Sequence, residues 1–241
     1  MDFSPFFFLI FIGIVIMAVS RALDLLWART IPIRVFYYFI RFPGVVIHEC
    51  SHILGCLLVG AKIKKVVLFS KGGGSVTYTP SQIPYLGDVI VCTAPFFIIP
   101  LILAGITWIF GTYLGCTIPL EPFTLDPQGM TTDISSRIFS IFTENLWYQF
   151  NGWFLLYLYL TTSLVLSLAP STQDLKNAAA GICILTGIGL IVIGTGVPGL
   201  VTALNAFIRI AGTGLSLGLT FELIALLCSL PAVAWYGLGH R

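Results

Sequence analysis

Long uncharged runs dominate this chain and leave its backbone few ways to fold. Phe3 to Ser20, Val89 to Leu120, Asn145 to Gln173 and Asn177 to Ile208 contain no Asp, Glu, Lys or Arg. A further run, Ile210 to Phe221, continues past a single Glu222 to Gly239. A bilayer core about 30 Å thick takes roughly 20 helical residues to cross, and only helices or closed barrels satisfy their own backbone groups in lipid. Charged residues make up 9% of the chain, against about 25% in soluble domains. Lipid is therefore the expected solvent for most of the surface. With Val35 to Gly60 added, the pattern predicts an all-α polytopic membrane protein of about six transmembrane helices, read as one integral membrane domain over residues 1–241. The first span lacks the basic start of a cleavable signal and is read as retained. A net charge of +2, scattered over short loops, gives no footprint for nucleic acid.

Within the second predicted span the chain reads His48-Glu49-Cys50-Ser51-His52. Residues four apart share a helix face, so both imidazoles can reach one metal ion, with Glu49 beside it. This H-E-x-x-H spacing is that of zinc hydrolases, in which the glutamate takes a proton from water. Ionisable groups inside a span cost about 2.5 to 3.5 kcal/mol each on insertion scales and point to function. Two of the three histidines in the chain fall at this spacing. Cys50 points to another face, and the six cysteines form no C-x-x-C pair, so reduced thiols are expected.

A catalytic zinc usually keeps three protein ligands. The candidates for the third are Asp174, Glu222, Asp24, Asp88 and His240. Asp174 ranks first, because Pro170 breaks the helix end just before it and can set a carboxylate at membrane depth. Arg41, about two turns before His48, is expected to snorkel to the interface at the far end of its helix. Lys64 to Lys71 and Ser75 to Thr79 are β-prone runs joined by Gly72, Gly73 and Gly74, which predicts a hairpin. Its lysines, Lys62, Lys64, Lys65 and Lys71, favour a cytosolic hairpin, whereas Arg21, Arg29 and Arg34 in the first loop pull the other way. Trp147, Tyr148 and Trp153 mark an interface at the entry to the fourth span.

Taken in order, these segments resemble the site-2 protease family of intramembrane zinc metalloproteases. The resemblance runs from about Pro43 to Gly181: His48 to His52 with Gly60-Ala61, the glycine hairpin, Thr93-Ala94-Pro95, and Ser167-Leu-Ala-Pro170 followed by Asp174. It implies a three-helix catalytic core over approximately residues 35–181, with accessory spans at 3–28 and 182–239. It also implies one Zn2+ per chain held by His48, His52 and Asp174, with Glu49 activating water, and an active site near the cytosolic face with the small hairpin beside it. Ser167 stands where the family has an asparagine associated with substrate handling, and Leu175 where it has a glycine. The chain reads as a divergent branch without a PDZ domain.

The implied activity is hydrolysis of peptide bonds in transmembrane or membrane-associated proteins. A helical substrate hides its carbonyls and must unwind, and Ser167 with the Gly72 to Gly74 hairpin is expected to hold the unwound segment. The competing expectation is a catalytically weak or inactive zinc-binding membrane protein that acts as a binding or regulatory partner. An ion transporter is disfavoured, because the histidine motif has no inverted repeat.

Overall fold

The computed structural model describes residues 3–31, 33–70, 73–79, 85–118, 136 and 138–239. Gly72, Lys71, the acidic loop around Asp126, and His240 lie outside the described residues. Helix α1 (Ser4–Thr30) starts with Pro5 in its first turn and ends at Ile31, whose extended backbone is what a residue preceding proline requires. Helix α2 (Arg34–Leu58) carries the histidine motif. Strands β1 (Ile63–Val67) and β2 (Ser75–Tyr78) pair antiparallel, Val66 opposite Val76 and Val67 opposite Ser75. The predicted hairpin is thus present as a two-stranded sheet. Helix α3 (Leu86–Tyr113) follows, then a π-helical segment (Thr143–Tyr148) that leaves Trp147 and Tyr148 exposed.

Helix α4 (Gly152–Leu166) is capped by the Asn151 side chain, which accepts from the Trp153 amide. Helix α5 (Thr172–Thr195) stops at Gly196, whose left-handed backbone (φ 65°) suits glycine, with Pro198 opening helix α6 (Pro198–Gly239). The run Asn177 to Ile208 is broken at Gly196, within the stretch from Gly181 to Gly199 that its glycines and Pro198 mark in the sequence. Arg209 is exposed on α6, so its charge needs no chain break to reach a polar layer. At 42 residues α6 is about 60 Å long, twice the bilayer core. The fourth predicted span, Asn145 to Gln173, is a 15-residue helix ending four residues before Pro170.

Among the described residues, four helices are long and apolar enough to cross a membrane: α1, α3, α5 and the Pro198–Pro231 part of α6. The chain is therefore an all-α polytopic membrane protein with a small sheet. Its main core joins Ile12 and Ile16 of α1, Ile99 and Leu103 of α3, Leu164 of α4 and Ile224 of α6. Ser20 ties α1 to the end of α4: its hydroxyl donates to the Val165 carbonyl at 2.7 Å and accepts from the Ala169 amide at 3.0 Å. All six cysteines are free.

Helix α2 meets α4 at Gly44, where any Cβ would collide with the Ser163 carbonyl and lie 2.8 Å from Ser167 Oγ. The Gly44 amide also donates to Ser163 Oγ at 2.9 Å. Gly44→Ala is expected to lose about 1–3 kcal/mol of stability by overpacking. Gly105→Ala, at a helical position with open space, is expected to be neutral or mildly stabilising. Thermal unfolding in detergent compares the two; equal midpoints would remove the close α2–α4 contact from the account.

Candidate metal centre

Two further close approaches converge on the histidine motif. Gly55 of α2 lets α3 come near enough that an added Cβ would lie 2.9 Å from Val91 Cα. Gly181 of α5 packs against Val89 and the Tyr85 carbonyl, where an added Cβ would overlap Val89. Gly44 and Gly55 stand about one turn either side of the two histidines, and Gly181 about two turns after Asp174. The helices are drawn in around the polar residues they carry.

The histidine ring contacts follow from that packing. His52 Nδ1 donates to the Val91 carbonyl at 2.8 Å, and His48 Nδ1 donates to the Ser167 carbonyl at 2.5 Å. In a regular helix the Val91 carbonyl would accept from the amide four residues on, but that residue is Pro95, which has none. The Ser167 carbonyl is left open because α4 ends at Leu166 and the Ser171 amide donates instead to Asp174 Oδ2 at 2.9 Å. The same device recurs at Pro43, which frees the Phe39 carbonyl for the Tyr159 hydroxyl at 2.9 Å. A carbonyl can only accept, so each Nδ1 carries the proton and each Nε2 presents its lone pair.

The two Nε2 atoms face one another 3.1 Å apart, and Asp174 Oδ2 lies 3.6 Å from that of His52. Two neutral imidazoles in this tautomer cannot hydrogen-bond to each other; a cation shared with the carboxylate satisfies both lone pairs. His48, His52 and Asp174 offer donor atoms all within 4.8 Å of one another, a set that fits a metal ion and suits zinc. Asp174 is the third residue of α5 and closes a capping box with Ser171, whose hydroxyl accepts from the Asp174 amide at 3.1 Å. It therefore belongs to the start of the next helix, not to the broken end of the fourth span.

Glu49 is buried and borders a cavity of about 240 Å³ shared with His48, Gly73, Gly74, Ser167, Arg41 and Asp24. Gly74 lies directly on it: an added Cβ would overlap the Glu49 Cγ and stand 2.7 Å from Oε1. Phe69 docks the hairpin loop on α2, its ring 5.1 Å from Phe42 and 6.4 Å from Tyr38. The Tyr78 hydroxyl ties β2 to α3 through Asp88 and Cys92, each at 3.4 Å. Burial raises the Tyr78 phenol far above its usual range, helped by that contact with Cys92.

The other candidate ligands sit elsewhere. Asp24 pairs with Arg41 at 3.1 Å and accepts from the Tyr37 hydroxyl at 2.8 Å; Asp88 takes the Tyr78 contact; fully buried Glu222 is not in the cluster. Arg41 does not snorkel away from the motif. It lies on the stripe of Val45, His48 and His52 and faces the same cavity as Glu49. Close packing at Gly181 was legible in the glycine-rich fifth span, whereas sequence reasoning missed the roles of Pro95, Ser171, Gly44 and Gly55. The legible signals were a proline four residues after an acceptor carbonyl and the Ser-x-x-Asp spacing at Ser171.

Residues 10–115 match the model of the Peptidase M50B-like family. No curated protein and no solved structure matches the chain. The matched segment holds His48, Glu49, His52 and the hairpin and ends before Ser167 and Asp174, so the place of Asp174 rests on geometry.

Pro95→Ala gives residue 95 an amide that competes with His52 for the Val91 carbonyl. Zinc affinity is expected to fall roughly tenfold or more, the usual scale for a lost outer-shell contact. Competition titration with a chelator measures it; an unchanged affinity would mean that the freed carbonyl does not hold the imidazole.

Proposed function

We propose that this chain, which matches the Peptidase M50B-like family over residues 10–115, is a site-2 protease-like zinc endopeptidase that hydrolyses peptide bonds of transmembrane or membrane-associated proteins. The observation that carries the reading is the convergence of His48, His52 and Asp174 from two helices, with Glu49 beside them on one cavity. His48 Nε2, His52 Nε2 and a carboxylate oxygen of Asp174 would hold one zinc ion. When bound, the ion supplies Lewis acidity, polarising a peptide carbonyl and making water easier to deprotonate. Glu49 takes the proton as the water oxygen bonds to the carbonyl carbon, and passes it to the amide nitrogen as the carbon–nitrogen bond breaks. The Val91 and Ser167 carbonyls keep both Nδ1 protons in place throughout.

The hairpin lies against this base, and among the described residues its two strands each keep an unpaired edge. An unwound substrate has amides and carbonyls whose exposure in lipid is costly, and a strand edge satisfies them without demanding a side-chain sequence. Gly73 and Gly74, with Ser167 across the cavity, would then border the bound segment. The lysines of β1 and the family resemblance support a site near the cytosolic face. A weak or inactive zinc-binding protein is the alternative that the departures at Ser167 and Leu175 raise.

His48→Ala or His52→Ala is expected to remove the zinc, whereas Glu49→Gln keeps it and abolishes cleavage, since an amide cannot serve as the base. Metal analysis and cleavage of a single-span substrate in vesicles read both. Equal behaviour of wild type and Glu49→Gln would favour the inactive alternative. Val67→Pro and Val76→Pro are each tried, because either strand can be the docking edge; at least one is expected to slow cleavage while zinc is retained. Wild-type rates from both would end the strand-docking idea and leave the metal centre untouched.

A further inference from the structure

The cavity that reaches Glu49 and His48 is lined at its other end by Arg21, Asp24 and Arg41. In a chain with so few charges, this is a dense group, and the peptidase chemistry makes no use of it. Asp24 Oδ1 takes the Tyr37 hydroxyl as well as Arg41 Nε, so it meets the guanidinium at one nitrogen only. Although it pairs with Asp24, Arg41 Nε is buried without a hydrogen bond of good geometry, and among the described residues no ion pair involves the exposed Arg21. Tyr37 further fixes Arg41 by lying under it, 5.6 Å from ring centre to guanidinium carbon. A buried ion pair is seldom more stable than apolar residues in its place, so stability alone does not account for this one.

Arg41 precedes His48 by seven residues on one helix face, about 10 Å along the axis. An extended peptide advances about 3.3 Å per residue, so a chain held at the histidines brings its third residue, roughly, to Arg41. Resting on the protease reading, we propose that Arg41, with Arg21, binds the carboxylate of an acidic side chain about three residues from the cleaved bond. Asp or Glu at that position is then what the enzyme selects in its substrates. The planar guanidinium offers a carboxylate a two-point contact.

The test uses the full chain carrying Glu49→Gln in phosphatidylcholine vesicles, and fluorescent single-span peptides that bear Asp or Asn at successive positions. At one register the Asp peptide is expected to bind roughly tenfold more tightly than the Asn peptide, the scale of one charge-assisted contact. Adding Arg41→Gln should bring that ratio close to one, with Arg41→Lys and Arg21→Gln falling between. Zinc content shows that each variant is folded, and the lysine and Arg21 variants decide the matter if Arg41→Gln fails to fold. Equal binding of Asp and Asn peptides, or a preference that persists in the arginine variants, overturns the proposal. Binding that instead follows added phosphatidylglycerol, whatever the peptide charge, assigns the arginines to a lipid headgroup and overturns it too. Wild-type cleavage of the same peptides is read separately: Asp preference without cleavage sinks the protease reading alone, and cleavage without Asp preference sinks this proposal alone.

Discussion

Two backbone carbonyls that a regular helix would have consumed hold the histidines in one tautomer. The Val91 carbonyl is free because Pro95 has no amide, and the Ser167 carbonyl is free because α4 ends before Pro170 and the next amide turns to Asp174. A histidine that donates from Nδ1 offers its Nε2 lone pair, so two interruptions in helical bonding become two metal-directed nitrogens. Burial makes the arrangement exclusive, because an imidazole N–H without a partner would be expensive there and each Nδ1 is committed to a carbonyl of a neighbouring segment. The close contacts at Gly44 and Gly55 then follow as requirements, since each carbonyl must come within hydrogen-bonding reach of α2, and Gly181 brings the helix of Asp174 against α3.

The same accounting applies elsewhere in the bundle. Asn145 accepts from the Thr117 amide and donates to the Thr117 and Ile141 carbonyls, so one buried side chain joins the segment after α3 to the π-helical turn. The Thr107 and Tyr157 hydroxyls meet at 3.1 Å between α3 and α4. Among the described residues, the buried oxygens without a hydrogen bond of good geometry are both of Glu222, the hydroxyls of Thr161 and Thr162, and Ser167 Oγ. Each such group costs about 1–3 kcal/mol when no partner is found. Ser167 differs from the others in bordering the cavity, so its hydroxyl lies within the space that a bound peptide would fill, while its carbonyl is already committed to His48.

The spans and the hairpin were legible because hydrophobic runs and glycine turns are local signals. The histidine pair was legible because helical spacing alone puts two rings on one face. Other features depended on which helices meet. Arg41 shares the stripe of Val45, His48 and His52, yet its sequence position alone was read as a route to the interface; the presence of Asp24 on α1 is what turns it inward. The break at Gly196-Val-Pro198 was legible in the run of glycines from Gly181 to Gly199 with Pro198, because a left-handed glycine followed by proline is a strong local stop. Asp174 was selected as a carboxylate at membrane depth, but its orientation comes from the Ser171 capping box, a local pattern that had gone unused.

The hairpin is held to the same elements that carry the ligands, and this fixes its register on the site. Phe69 anchors the loop to α2 at Tyr38 and Phe42, on the helix of His48 and His52. Tyr78 anchors β2 to α3 at Asp88 and Cys92, and Cys92 directly follows the Val91 that binds His52. Between these two anchors the turn sets Gly74 on Glu49 with no room for a side chain. A glycine there covers the Glu49 side chain with backbone, and both residues line the cavity. Any larger residue would displace the Glu49 side chain or lift the hairpin, and lifting it would strain the contacts at Phe69 and Tyr78 together. The spacing between the Glu49 carboxylate and the hairpin is thus set by two helices at once, and the requirement for glycine at position 74 follows from where those helices place it.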